Sequence, residues 1–257
     1  MTPRWLDTAG QIAVLLALLA AWELTARMGW VVPFLLPALS DVAARILADA
    51  ASGELALNGA LSLYRALAGC ALAALIGIPL GIVIARWAGA GWFFEPLVSI
   101  GFPMPKIAFL PIFMLWFGLY DVSKIAMVAF SSVFAIIAAT TAGTRGVDRF
   151  TVWSARALGA SESGLLWEII LPAALPQILT GLQIALPVAL ITTIVTEMLM
   201  GGAGIGGAMI GAGRFADSVG VYAGIVEIAL LGLAVIKGVE RLRRHLLRWH
   251  AEVRQGA

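Results

Sequence analysis

Apolar residues along this chain come in long uncharged blocks, not in the alternation of a half-buried strand or the three-and-four spacing of a surface helix. Residues 8–22 carry no charge and are followed by Glu23 and Arg27; 66–85, 125–144 and 169–196 are wholly uncharged; 96–119 is broken only by Lys106 and 218–236 only by Glu227. A helix crossing the hydrocarbon core needs about 20 apolar residues. The blocks therefore predict an all-α membrane protein with six transmembrane helices at about 8–28, 62–86, 96–118, 122–143, 177–199 and 219–240, one transmembrane domain over 1–257.

Three polar segments between the blocks carry turn and cap signals. Residues 33–60 open with Pro33 and Pro37, after which Ser40 is placed to cap a short helix. Val42, Ile46 and Leu47 share one face of that helix while Asp41, Arg45 and Asp49 do not, which predicts an amphipathic helix at the outer surface. Residues 200–213 are glycine-rich and contain Gly202-x-Gly204-x-x-Gly207, formally a dinucleotide-binding fingerprint. Nothing around it reads as a βαβ unit, so the expectation is a flexible outer loop or short re-entrant turn. In 145–176, Asp148 can cap a helix with Phe150, Trp153 and Ala157 at i, i+3 and i+7, and Gly159 suits the left-handed position that ends it. Ser161 then caps a second helix, with Glu162 in its first turn and Leu165, Leu166, Ile169 and Ile170 apolar, until Pro172 and Pro176 interrupt the backbone ladder. The expectation is a helix–turn–helix at the membrane surface.

Composition agrees with the blocks: 61% hydrophobic, 12% charged and a mean hydropathy of +0.97, against about a quarter charged in soluble domains. The lone Cys70 lies inside an apolar run and reads as a small buried hydrophobe. The first block does not read as a signal peptide, because it leads into Trp22-Glu23-Leu24 without a small-x-small cleavage site.

Charge sets orientation. With a cytoplasmic N-terminus, eleven basic residues fall inside (Arg4, Arg86, Arg145, Arg149, Arg156, Lys237, Arg241, Arg243, Arg244, Arg248, Arg254) and five outside (Arg27, Arg45, Arg65, Lys124, Arg214), which places both termini in the cytoplasm. The tail from Lys237 to Arg254 has six basic residues against Glu240 and Glu252, the pattern of a stop-transfer and lipid-headgroup anchor, with no nucleic-acid role implied.

Candidate chemistry is sparse. The chain has no phosphate-binding Gly-x-x-x-x-Gly-Lys, no His-Glu-x-x-His and no Gly-x-Ser-x-Gly, and His245 and His250 do not share a helix face as metal ligands would. Glu23, Lys106, Glu197 and Glu227 form no catalytic set by spacing, and no motif recurs as the repeats of a secondary carrier would. An unpaired charge in lipid costs at least about 2.5–3.5 kcal/mol, so intramembrane ionisable residues are the candidates for a pathway. Lys106 sits near mid-depth of the third span with Pro103 and Pro105 loosening the helix beside it, where a buried cation would suit an anionic solute, snorkel, or pair with a carboxylate inside the bundle. With Thr193, Glu197 and Glu227 as gate or structural positions, these make up the pathway set. Pro187 should kink the fifth span, and Gly77–Gly81, Gly207–Gly211 and Gly220–Gly224 have the spacing of close helix packing.

Ala155-Arg156-Ala157-Leu158-Gly159-Ala160-Ser161, then Ile170-Leu171-Pro172-Ala173-Ala174-Leu175-Pro176 and Thr180-Gly181-Leu182, resembles the EAA loop of binding-protein-dependent ABC permeases. Leu36-Pro37, Ser62-Leu63-Tyr64-Arg65, Gly77-Ile78-Pro79-Leu80-Gly81, Pro103-x-Pro105 with Leu110-Pro111, Leu115-Trp116-Phe117-Gly118 and Trp249-His250 are similar to the branch that imports taurine, alkanesulfonates and nitrate. Trp153 stands where many relatives carry the loop's glutamate, so Arg156 or Glu162 takes over any ionic contact.

The resemblance implies the type I ABC importer permease fold and a non-enzymatic permease subunit in a bacterial inner membrane. It would pair with a second permease subunit, as a homodimer, with two ATPase subunits that bind ATP and Mg, and with an external solute-binding protein; the chain itself would hold no cofactor and no metal. ATPase coupling would fall on Trp153, Ser154, Ala155, Arg156, Leu158, Gly159, Ala160, Ser161, Glu162, Leu171 and Pro172. The solute would be a small anion such as taurine, an alkanesulfonate or nitrate, or, in look-alike branches, a thiamine precursor or aromatic acid.

Overall fold

A computed structural model describes residues 4–247, with side chains from residue 10 onward. The basic residues Arg248 and Arg254 and the Trp249-His250 pair lie outside the described residues. Helices account for all the regular structure among the described residues: α1 (Arg4–Arg27), α2 (Leu39–Ser52), α3 (Glu54–Arg86), α4 (Ala88–Gly101), a 3-10 turn (Lys106–Phe109), α5 (Leu110–Phe117), α6 (Asp121–Arg145), α7 (Arg149–Ala157), the single turn α8 (Glu162–Gly164), a π turn (Leu165–Ile170), α9 (Leu171–Met200), α10 (Ile205–Arg214) and α11 (Ser218–Leu246). Five helical stretches among them are long and apolar enough to cross a membrane, and α4 with α5 makes a sixth if the bent pair counts as one span.

The third span departs from the uninterrupted helix expected over 96–118. The chain is helical from Ala88 to Gly101, breaks, and resumes in α5 with a bend of 97°. Pro103 and Pro105 cause the break, since neither offers an N–H to continue the backbone ladder; Phe102 itself still has helical angles (φ -64°, ψ -51°). The opposite departure occurs at Pro172 and Pro176, expected to end the second loop helix. There the chain stays helical from Glu162 to Met200. The π turn explains how, since the Leu171 N–H reaches back five residues to the Leu166 carbonyl, widening the ladder just before the residue that cannot donate. Pro187 likewise sits within continuous α9.

The chain divides into two compact units. One comprises Met1–Leu61 and Glu197–Leu230. In it the Trp22 indole N–H donates to the Pro37 carbonyl (3.0 Å), and the Tyr222 hydroxyl to the Leu35 carbonyl (2.8 Å). Two expectations for α2 fail here. Ser40 does not cap it; α2 starts at Leu39 with Ala38 as an N-cap that makes no side-chain bond, and the Ser40 hydroxyl donates instead to Glu23 (2.8 Å). The buried face is also rotated. Val42 is buried, but Leu47 is 70% exposed, while Arg45 lies half-buried between Asp49 (2.9 Å) and Asp217 (2.8 Å). A guanidinium neutralised on two sides can be drawn in where a lone charge cannot. The glycine-rich segment is likewise not a loop throughout: after Gly201, Gly202 and Gly204, all at positive φ, it winds into α10.

The other unit comprises Ser62–Thr196 and Leu231–Ala257. Its core joins α3, α6 and α9 through Ala66, Cys70, Ala73, Val128, Ile136, Ala185 and Ala189. Small residues set the helix spacing: a Cβ on Gly77 would lie 3.0 Å from Ile136 Cγ2, on Gly81 2.7 Å from Thr140 Cβ, and on Gly181 2.6 Å from Ala139 Cβ. Without a hydrophobic drive between helices in lipid, such close packing is what holds them together.

Candidate functional site

The segment 145–176 is built from local capping chemistry. Asp148 opens α7 by accepting from the backbone N–H groups of Phe150 (3.3 Å) and Thr151 (3.1 Å). Those bonds, that to Phe150 first and the Thr151 hydroxyl next, hold its carboxyl below the usual carboxylate range. The far end closes in a Schellman motif: Gly159, at φ +88°, donates to the Arg156 carbonyl (3.0 Å), and Ala160 donates to the Ala155 carbonyl (3.0 Å). Ser161 then caps the next turn by accepting from Gly164 N–H (3.1 Å).

Two kinds of side chain leave this frame. Phe150, Trp153 and Leu158 are 71%, 58% and 89% exposed, with the Phe150 and Trp153 rings edge-on at 5.6 Å. Trp167 on the π turn is also exposed. Ser154 is exposed, and Ala155 and Ala160 are half-buried. Glu162 instead turns to its own chain. One carboxylate oxygen accepts from Arg156 (2.9 Å) and the other from Arg86, the last residue of α3 (2.6 Å). Arg156 and Glu162, the residues expected to reach a partner ionically, are thus paired with each other. Arg86 was missed because its partner lies 76 positions away; the signal present in the sequence was only that both fall on the same side by the charge count. Leu171 and Pro172 open α9, half-buried and exposed respectively.

The second group of candidates centres on the break after α4. The Lys106 ammonium donates to the Phe102 carbonyl (2.6 Å) and sits over the Phe102 and Phe134 rings at 5.8 and 5.5 Å. No carboxylate pairs with it among the described residues, so the expected alternative of an intramembrane ion pair is not what the structure holds. A cation at a helix C-terminus meets the negative end of the helix dipole, and here it donates directly to the carbonyl of the residue that ends α4. Pro103 and Pro105 are both exposed.

Thr193 and Glu197 each make their bonds within their own unit. Thr193 is fully buried, its hydroxyl donating to the Ala189 carbonyl of its own helix (2.8 Å). Glu197 is fully buried too and accepts from the Gly206 N–H (3.1 Å) in the first turn of α10. A Cβ on Gly204 would collide with the Glu197 carboxylate, and the Gly204 N–H donates to Asn58 Oδ1 (2.9 Å). The Gly202-x-Gly204-x-x-Gly207 pattern thus serves a turn clamped by Glu197 and Asn58; Asn58 carried no signal in the sequence. Glu227 lines a pocket with Arg45, Asp49, Glu54 and Asn58, and its Oε1 has no hydrogen-bond partner among the described residues.

Comparison with known proteins brings these elements together. A family model described as "Binding-protein-dependent transport system inner membrane component" matches residues 77–249, a stretch that contains the whole 145–176 segment. The taurine transport system permease protein TauC of Escherichia coli (strain K12) is 34% identical over 248 residues, covering 94% of this chain and 90% of that protein. A putative aliphatic sulfonates transport permease protein, SsuC of Bacillus subtilis (strain 168), is 32% identical, covering 90% and 84%. The formylaminopyrimidine transport permease protein ThiX of Halalkalibacterium halodurans is 31% identical, covering 91% and 93%. Among solved structures, a chain of the MetNI methionine ABC transporter in an inward facing conformation superposes with a TM-score of 0.58 at 17% identity, covering 72% of this chain and 93% of that one.

Proposed function

We propose that this chain, which belongs to the family of binding-protein-dependent transport system inner membrane components, carries a small sulfonate across the membrane. It is a multi-pass permease subunit of an ABC importer with the type I permease fold, not an enzyme; ATP hydrolysis resides on a separate subunit, and a binding protein delivers the solute. The observation that carries the solute class is identity above 30% along nearly the whole chain to permeases named for taurine and for aliphatic sulfonates. ThiX, at 31%, keeps a pyrimidine as the second reading.

In this reading two copies pair around the pathway, with two ATPase subunits on the cytoplasmic side together with both termini and residues 145–176. Phe150, Trp153 and Leu158 supply the docking face, because they are large, apolar and exposed on a polar surface loop, and Gly159 fixes the angle between the two halves of the loop. The contact is apolar, because Trp153 offers no charge and Arg156 and Glu162 are paired with each other. A thermal-shift screen of the partner binding protein against taurine, alkanesulfonates, nitrate and formylaminopyrimidine tests the solute. Stabilisation by sulfonates is expected; stabilisation by the pyrimidine alone would overturn it.

A further inference from the structure

We propose that Glu162 works inward: it is a positioning residue that ties the 145–176 loop to the end of α3, so that displacement of the loop by the ATPase is carried into α3. This rests on the reading of 145–176 as the coupling loop. Covalently the loop is joined only to α6 and, through the π turn, to α9. Glu162 adds a third helix that is remote in sequence. Its two carboxylate oxygens are taken by two different guanidiniums, Arg86 at 2.6 Å and Arg156 at 2.9 Å, so one side chain clamps α7, the first turn after Gly159 and the end of α3.

The end of α3 is also held by α6. Arg145, the last residue of α6, donates to the Ile84 carbonyl (3.4 Å) and pairs with Glu95 of α4. A continuous polar path therefore runs from the loop through Glu162 and Arg86 to α3, and through Ile84 and Arg145 to α4, the helix that breaks at Lys106. Single exposed ion pairs contribute little. Here the Arg86 guanidinium is only 28% exposed, and it shares its carboxylate with a second cation, which makes the cluster a network instead of an isolated pair. Salt-bridge networks between packed helices are physical carriers of coupling between distant sites.

The test uses the complete transporter, with its ATPase subunits and binding protein, in vesicles. Glu162→Gln and Arg86→Gln should each keep the ATPase subunits bound while solute taken up per ATP hydrolysed falls roughly tenfold, a typical coupling free energy. The double variant should be no worse than either single one, and Arg86→Lys should retain at least about half of the uptake because the charge survives. Glu162 is 65% exposed, so its Gln variant folds and either result decides. Normal uptake by Glu162→Gln overturns the proposal. So does release of the ATPase subunits by Glu162→Gln with Arg86→Gln silent, which would turn Glu162 toward the partner. Gly159→Val run alongside keeps the two claims apart: full uptake there sinks the coupling role of the loop, whereas lost uptake there with normal uptake by Glu162→Gln sinks the brace alone.

Discussion

At Gly159 the backbone, not the space available, decides which residue can stand. Its φ is +88°, yet a Cβ would meet nothing within 4 Å, so any penalty of substitution comes from the left-handed conformation itself. Holding a β-branched residue there costs on the order of 1–3 kcal/mol, whereas asparagine visits this region readily. Gly159→Val should therefore insert and fold but lose uptake and binding-protein-stimulated ATP hydrolysis, while Gly159→Asn keeps most of both; equal activity of the two variants in a transport assay would contradict the account. Gly204 differs, since it combines φ +122° with a carboxylate where a Cβ would go. Gly204→Ala should lower folded yield, as judged by size-exclusion of the solubilised protein. The sequence makes Gly159 legible because a helix signal ends there and a cap follows. It leaves Gly204 looking like a nucleotide motif, because the Glu197 that explains it approaches only in the fold.

Among the elements, the break that Pro103 and Pro105 make between α4 and α5 is tied by one cation. Removing the Lys106 ammonium leaves the Phe102 carbonyl without its donor, and hydrogen bonds to charged groups contribute about 1.5–3 kcal/mol. Lys106→Met should thus lower thermal stability of the purified protein by about that amount while uptake per folded molecule stays near normal. Unchanged stability with lost uptake would instead assign the cation to the solute. The α7 cap carries a pH expectation. Because its hydrogen bonds hold the Asp148 carboxyl below its ordinary range, the contribution of the cap is complete above the unfolded value and is lost only as pH falls through the lowered one. Uptake between about pH 6 and 8 should show no step that disappears in Asp148→Asn, since ordinary aspartate already titrates near 3.9. Caps at Asp148 and Ser161 were legible because they are local. The rotated face of α2 was not, because Arg45 is drawn inward by Asp217, 172 positions along the chain. The unbroken run through Pro172 was hidden for a different reason: a π turn leaves no mark in hydrophobic spacing.

For the whole molecule, the uncharged blocks made the all-helical membrane class legible, since burying about 20 apolar residues per span in lipid requires little else. What they could not carry is the division of the third span, which is decided by two prolines and a lysine within a run that hydropathy alone reads as continuous. On the eleven-to-five distribution of basic residues, both termini and residues 145–176 are expected in the cytoplasm. A cysteine introduced at position 162 in intact cells should be reached only by a membrane-permeant reagent, against a low background because Cys70 is buried; labelling by an impermeant reagent would invert the orientation. The central claim is that this chain conducts a sulfonate only when its loop is driven by the ATPase. It is tested most directly by sealed vesicles containing the chain with its ATPase and binding protein, measuring labelled taurine or alkanesulfonate inside the lumen. The account predicts accumulation that needs both ATP and the binding protein and is abolished by Gly159→Val. Accumulation without ATP, or its persistence in Gly159→Val, would contradict it.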